Sequence, residues 1–206
     1  MQFQLTNIEI QNTKTKILEL IDANITRKGI QKFSDYLINS DFFSAPASSR
    51  YHLSCPGGLA LHSLNVYNRL IKEVCSEYDS IESSPYSLET LTIVALFHDV
   101  CKIYFYEIYF RNVKDDKTGK WNKEAAYKVN ELLPIEHSSK SQYIVRSFLD
   151  LSREESVAIL SHMGSFDKAA LGGSFTISSA FHMFELAVLL HTADLKATSI
   201  DEKTTF

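Results

Sequence analysis

A chain of 206 residues is long enough for one medium-sized domain with a sizeable core. Its hydrophobic share of 45% and charged share of 22% are those of an ordinary globular protein, and a net charge of −4 gives no global attraction to duplex nucleic acid or an anionic membrane. Three cysteines, Cys55, Cys75 and Cys101, form an odd set without CxxC spacing, which argues against a zinc ribbon or disulfide framework and for a reducing interior.

Seven glycines and four prolines favour helices over a sandwich or barrel. The N-terminus lacks a basic region followed by an apolar one, and the longest apolar run, from Phe184 to His191, is too short to span a bilayer; a cytoplasmic protein is expected. Ile8, Ile10, Ile17, Leu18 and Ile21 recur at near-helical spacing and predict a helix over about 13–23. A second, over about 27–39, places Ile30, Phe33, Tyr36 and Leu37 on one face. Residues 40–56 read as a loop whose aromatics, prolines and His52 make it a candidate pocket wall, or simply a bridge between helices.

Gly57-Gly58 opens a long helix to about Tyr78, in which Leu59, His62, Val66, Leu70 and Val74 form one apolar stripe. His62 therefore faces the core, where a lone histidine is usually a satisfied core residue. After a loop over 80–85, Ser87 caps the next helix with Glu89 in its first turn. That helix carries the run from Leu91 to Phe97 and ends in the doublet His98-Asp99. Burying an unpaired carboxylate costs several kcal/mol, and a metal ion is one of the few partners that satisfies both it and a neighbouring imidazole. Taken alone, the doublet reads more simply as a helix end facing water.

Residues 104–129 change character. A stretch of strand formers from Tyr104 to Val113, turn chemistry from Asp115 to Gly119 and a second stretch to Val129 predict a β-hairpin with charged edges, the one substantial β element. Helix resumes after His137, over about 138–149, and Ser152-Arg-Glu-Glu155 is a capping box for a helix carrying Ala158 and His162, ended by Gly164. Residues 166–174 read as a loop. A last helix over about 177–198 puts Ala187, Leu190, His191 and Asp194 near one stripe. Neither repeats nor a linker divide the chain, so one domain is expected.

His62, His98, Asp99, His137, His162 and Asp194 thus come from five segments, most of them on faces that periodicity assigns to the core. A metal site between helices requires this convergence. Four histidines with two aspartates suit Mn, Fe, Ni, Co or Zn, with Mg admissible at an oxygen-rich position, and no cysteine is placed to join them.

The order His62, His98-Asp99, His137, His162, Asp194 resembles the HD-domain superfamily of metal-dependent phosphohydrolases. So does the wording around it: Gly57-Gly58-Leu-Ala-Leu-His62-Ser, His98-Asp-Val-Cys-Lys102-Ile, His137-Ser-Ser-Lys-Ser141, Ile159-Leu-Ser-His162-Met-Gly and Leu190-His-Thr-Ala-Asp194. The resemblance spans about residues 50–198 and is nearest to small stand-alone HD proteins of bacterial and phage type. It extends to the HD domain of bacterial 3′–5′ exoribonucleases, without their OB-type nucleic-acid module.

The resemblance implies a mainly α, HD-type bundle with core about 50–198, the helices of 7–40 packed on it and the hairpin inserted. It implies that His62, His98, Asp99 and Asp194 hold one metal and that Asp99 bridges to a second held by His137 and His162. A metal-activated water would cleave a phosphoester of a nucleotide or short phosphodiester. Asp99 and Lys102 are the expected catalytic residues, Lys102 touching the phosphate or the attacking water; its other reading is a helix-end cation facing the macrodipole. His52 and Lys140 are candidate substrate-binding residues, although for Lys140, as for Lys168 and Arg146, a solvated helix face explains the charge equally well. His191, one turn before Asp194, is expected beside a ligand rather than as one, and His182 shows no chemistry. The hairpin and the loop 166–174 are expected to flank the site and accept a small nucleotide by stacking, which disfavours long nucleic acid. The alternatives are a di-iron oxygenase of the same superfamily, a 3′–5′ exonuclease and a non-catalytic nucleotide sensor. Oligomeric state leaves no signal in the sequence.

Overall fold

The computed structural model describes residues 4–115 and 118–202. The described residues are 57% helix and 9% strand, which fits a helical body bearing one hairpin. Helix α1 (Asn7–Asn24) starts well before the apolar spacing predicts, because a capping box sets its beginning: Thr6 accepts from the Glu9 N–H and Glu9 accepts from the Thr6 N–H at 2.7 Å. Helix α2 (Ile30–Asn39) buries Phe33 and Leu37. The Phe33 ring lies 4.7 Å from Phe97 and 4.9 Å from Phe148.

Helix α3 (Gly58–Tyr78) buries Leu59, His62, Val66, Leu70 and Val74, the stripe that spacing predicts. At its start a Cβ on Gly58 would lie 2.1 Å from the Leu53 carbonyl oxygen, so only glycine lets loop 47–53 close over the helix end. Helix α4 (Leu88–Phe97), capped by Ser87, is buried on every side from Leu91 to Phe97. Helix α3 lies alongside it, and α1 and α6 (Arg153–Ser161) also pack on it. A 3-10 turn, Val100–Lys102, follows.

Strands β1 (Tyr106–Lys114) and β2 (Trp121–Val129) pair antiparallel, with Tyr106 opposite Val129 and Lys114 opposite Trp121. Opposed charges hold one face, Lys128 to Glu107 at 2.5 Å and Arg111 to Glu124 at 3.6 Å. Helix α5 (His137–Arg146) begins on His137 itself. Helix α6 opens with the expected Ser152/Glu155 box. Glu155 is fully buried and also accepts from Arg27 Nη1 at 2.7 Å, Arg27 Nη2 at 3.0 Å and Thr90 Oγ1 at 2.9 Å, tying α6 to the entry of α2 and the first turn of α4.

Two expectations need correction. The segment expected as a loop over 166–174 contains a short helix, α7 (Lys168–Leu171), capped by the Asp167 side chain. The single last helix is two, α8 (Thr176–Met183) and α9 (Glu185–Lys196), followed by a π-type turn, Ala197–Asp201. The break is at Phe184, whose backbone is extended (φ −134, ψ 103). Its N–H still closes α8 on the Ala180 carbonyl, while its carbonyl accepts from the Ala187 N–H to start α9. Glu185, at the new start, accepts from the hydroxyls of Tyr78 and Tyr86. Among the described residues no helix is long and apolar enough to cross a membrane.

Candidate metal centre

Five parts of the fold aim side chains at one point. His62 comes from the inner face of α3, His98 and Asp99 from the end of α4, His137 from the first residue of α5, His162 from just beyond α6, and Asp194 from the last turn of α9. His62, His98, Asp99 and His162 are buried, while His137 and Asp194 are partly open to a cavity of about 240 Å³.

The separations are those of a ligand cage. His62 Nε2 lies 3.2 Å from His98 Nε2, 3.3 Å from Asp194 Oδ1 and 3.5 Å from Asp99 Oδ2. His98 Nε2 is 3.6 Å from Asp99 Oδ2, and His162 Nε2 is 3.6 Å from Asp99 Oδ1. Around an ion with bonds of about 2.0–2.2 Å, neighbouring ligand atoms stand roughly 2.8–3.6 Å apart. Two imidazole nitrogens face to face make at most one hydrogen bond, so a cation between them explains the approach better than neutral packing does.

The outer nitrogens fix which ring atom faces the centre. His98 Nδ1 donates to the Ala95 carbonyl at 2.8 Å and His162 Nδ1 to the Ile159 carbonyl at 2.7 Å. His62 Nδ1 donates to both carboxylate oxygens of Glu202 at 3.1 Å. Carbonyls and carboxylates only accept, so each Nδ1 carries the hydrogen and each Nε2 turns inward. His162 Nε2 is buried with no hydrogen-bond partner among the described residues. Such an orphan costs about 1–3 kcal/mol, which a metal bond would offset. The donor set therefore fits a divalent cation.

Asp99 divides its carboxylate. Oδ1 faces His137 Nε2 at 2.7 Å and His162, while Oδ2 faces His62, His98 and the Lys102 ammonium at 2.5 Å. Burial alone would raise its pKa, but Lys102 foremost, with His98 and His137, holds it well below the carboxylate range. Asp194 is likewise held low against burial by His62, His98 and His162. Burial pushes His98 down to about 4. His62, despite its burial, is driven well above the imidazole range by Glu202, Asp194 and Asp99. Burial opposes protonation of Lys102, but Asp99 raises its pKa and keeps the ammonium charged.

His52 lines the cavity with its ring 5.0 Å from that of His62 and its buried Nε2 without a partner among the described residues. Burial foremost, with His62 and Lys102, lowers its pKa to about 4, so it is neutral near pH 7. His191 lines the same cavity as His162 and Asp194 and stands beside a ligand residue, His162. Its Nδ1 donates to the His162 carbonyl at 2.7 Å and its ring stacks 5.2 Å from Phe181, so it braces the turn that carries His162. Gly164 permits this: φ is +54, and a Cβ there would lie 2.3 Å from the His191 ring. His182 is exposed on α8, apart from the centre.

Lys140 is buried rather than on a solvated helix face. It does not line the metal cavity; its ammonium sits 2.5 Å from both oxygens of Glu131 and 4.8 Å from the Phe105 ring centroid, committed behind His137. The absence of a cysteine is a second correction. Cys101 Sγ lies 3.2 Å from His137 Nδ1, because the 3-10 turn after Asp99 rotates it toward α5. Burial opposes protonation of His137, but Cys101 and Asp99 raise its pKa to about 10. Sequence reasoning also missed Glu202 and the apolar rim of Met163 and Leu195. Tyr106 and Phe166 do bring the hairpin and the 166–174 segment to the cavity, whereas Phe110 and Trp121 are exposed and do not line it.

No protein-family model matches the chain, and no curated protein or solved structure matches it.

Proposed function

We propose that the chain is an HD-type, metal-dependent phosphohydrolase acting on a nucleotide or short phosphodiester. The observation that carries this reading is the divided carboxylate of Asp99, one oxygen toward His62 and His98 and the other toward His137 and His162. That division suits two divalent ions sharing one bridging ligand, with Asp194 completing the first position. When bound, such a pair supplies Lewis-acid polarisation of a phosphoryl oxygen and a water acidic enough to attack phosphorus.

The chain's own groups would supply the rest. Lys102, buried and charged at the cavity wall, offsets the negative charge of a phosphoryl group. Neutral His52 lines the same cavity and keeps Nε2 without a partner among the described residues, a ring nitrogen that can hydrogen-bond a phosphate oxygen or the leaving group. Tyr106 and Phe166 offer faces for a base, and Met163 and Leu195 keep the rim apolar. A cavity of about 240 Å³ favours a small nucleotide over a long polymer.

The test is to strip the protein of metal, add back Mn, Fe, Ni, Co, Zn or Mg singly, and follow phosphate or nucleoside release from a nucleotide panel. A 20-mer of single-stranded RNA and DNA is run beside it. Metal-dependent release from small nucleotides is expected. Processive cleavage of the 20-mer with small nucleotides intact would favour an exonuclease. Oxygen consumption by the iron form without phosphoester cleavage would favour the oxygenase.

A further inference from the structure

The three inward-facing imidazoles of His62, His98 and His162 differ in what holds their outer nitrogens. For His98 and His162 the partner is a neutral backbone carbonyl close in sequence, Ala95 and Ile159. For His62 it is the buried carboxylate of Glu202, 140 residues away, with both oxygens at 3.1 Å. The fold invests several contacts in delivering that carboxylate. Helix α9 ends in the widened turn Ala197–Asp201, which closes with the Glu202 N–H on the Ala197 carbonyl at 3.0 Å and turns residue 202 back to α3. Asn65, on α3 one turn beyond His62, donates to Glu202 Oε1 at 3.0 Å. Arg69, a further turn along, pairs with Asp201 through Nε at 2.7 Å and through Nη2. A carboxylate with a side chain only 1% exposed, aimed at a ligand's remote nitrogen, costs free energy to bury and contributes nothing to an apolar core.

We propose that Glu202 is a positioning residue of the metal centre. It locks His62 with hydrogen on Nδ1, and its charge makes Nε2 a stronger donor than the carbonyl-held nitrogens of His98 and His162. The metal position that His62 serves is then the one whose affinity depends most on a group outside the ligand set. This inference rests on the metal reading above but not on the reaction assigned to it.

The experiment is a competition titration of metal-free protein with Co2+ against a chromophoric chelator, comparing wild type, Glu202→Gln and Glu202→Ala, with no substrate present. Loss of the carboxylate in Glu202→Ala should weaken the tightest site by ~10–100-fold and alter the visible cobalt spectrum. Glu202→Gln keeps an acceptor for Nδ1–H but no charge, so it should fall between the two. A purely structural role would lower the melting temperature of the metal-free variants and leave the affinity of their folded fraction unchanged. Cobalt affinity of folded Glu202→Gln and Glu202→Ala within twofold of wild type would overturn the proposal. Should Glu202→Ala not fold, the near-isosteric Glu202→Gln carries the test alone. Wild type that takes up neither cobalt nor any of Mn, Fe, Ni or Zn would overturn the metal reading as well, which separates the two failures.

Discussion

Lys102 Nζ lies 2.5 Å from Asp99 Oδ2, the same oxygen that faces His62 and His98. The ammonium therefore competes with a cation for one lone pair and adds positive charge at the cavity wall. Replacing it should separate binding from turnover. Lys102→Gln should bind divalent metal at least as tightly as wild type, while phosphoester cleavage falls by ~10²–10³-fold, the usual effect of removing one stabilising donor. Calorimetric metal titration beside kcat for the same preparation checks this. Loss of both together would make Lys102 a structural partner of Asp99 only.

His162 presents Nε2, without a hydrogen-bond partner among the described residues, to Asp99 Oδ1, the side of the carboxylate that His137 also faces. His162→Ala should empty one metal position and spare the other. Elemental analysis should find bound metal reduced by about half, and excess Mn should restore part of the lost rate by mass action. An unchanged metal content would remove His162 from the ligand set.

Gly164 lets His191 reach the turn that carries His162. Alanine there faces two obstacles, a φ of +54 and a Cβ placed 2.3 Å from the His191 ring. Gly164→Ala should cost about 1–3 kcal/mol in urea unfolding and weaken metal binding by displacing His162. Wild-type stability and affinity would mean that the turn is not held by His191.

Much of this was legible in the sequence because caps and stripes are local. Ser87 and the Ser152/Glu155 box set the starts of α4 and α6, and the stripe through Leu59, Val66 and Leu70 turned His62 inward. The break at Phe184 was not legible. Apolar spacing runs through it without glycine or proline, and the side chains that meet Glu185 at the new start, Tyr78 and Tyr86, lie far away in sequence. Glu202 was hidden for the same reason, since beyond the last helix no periodicity says which way a carboxylate turns. The charge of Lys140 suggested phosphate, but only the fold shows Glu131 already paired with it.

Away from the centre, Glu155 gives acid dependence with a definite sign. Burial would raise its pKa, but hydrogen bonds from Arg27, the Ser152 N–H and Thr90 outweigh burial and hold it below the ordinary 4.5. A carboxyl lowered on folding stabilises the protein above about pH 4.5 and loses that contribution as pH falls through its folded value. The stability gap between wild type and Glu155→Gln should thus shrink from pH 7 to pH 3 in urea melts. Arg27→Ala, which leaves the carboxylate buried, should cost about 3–5 kcal/mol at pH 7. A gap independent of pH would contradict the assignment.

On the proposed reading His62, His98, Asp99, His137, His162 and Asp194 hold divalent metal, with Asp99 shared between two positions. Elemental analysis of dialysed wild type and Asp99→Ala, each first loaded with Mn, Fe, Ni, Co or Zn, tests it most directly. A ratio approaching two ions per chain is expected for wild type with at least one of these metals, and one close to zero for Asp99→Ala. Wild type that retains no more of any metal than Asp99→Ala would contradict it.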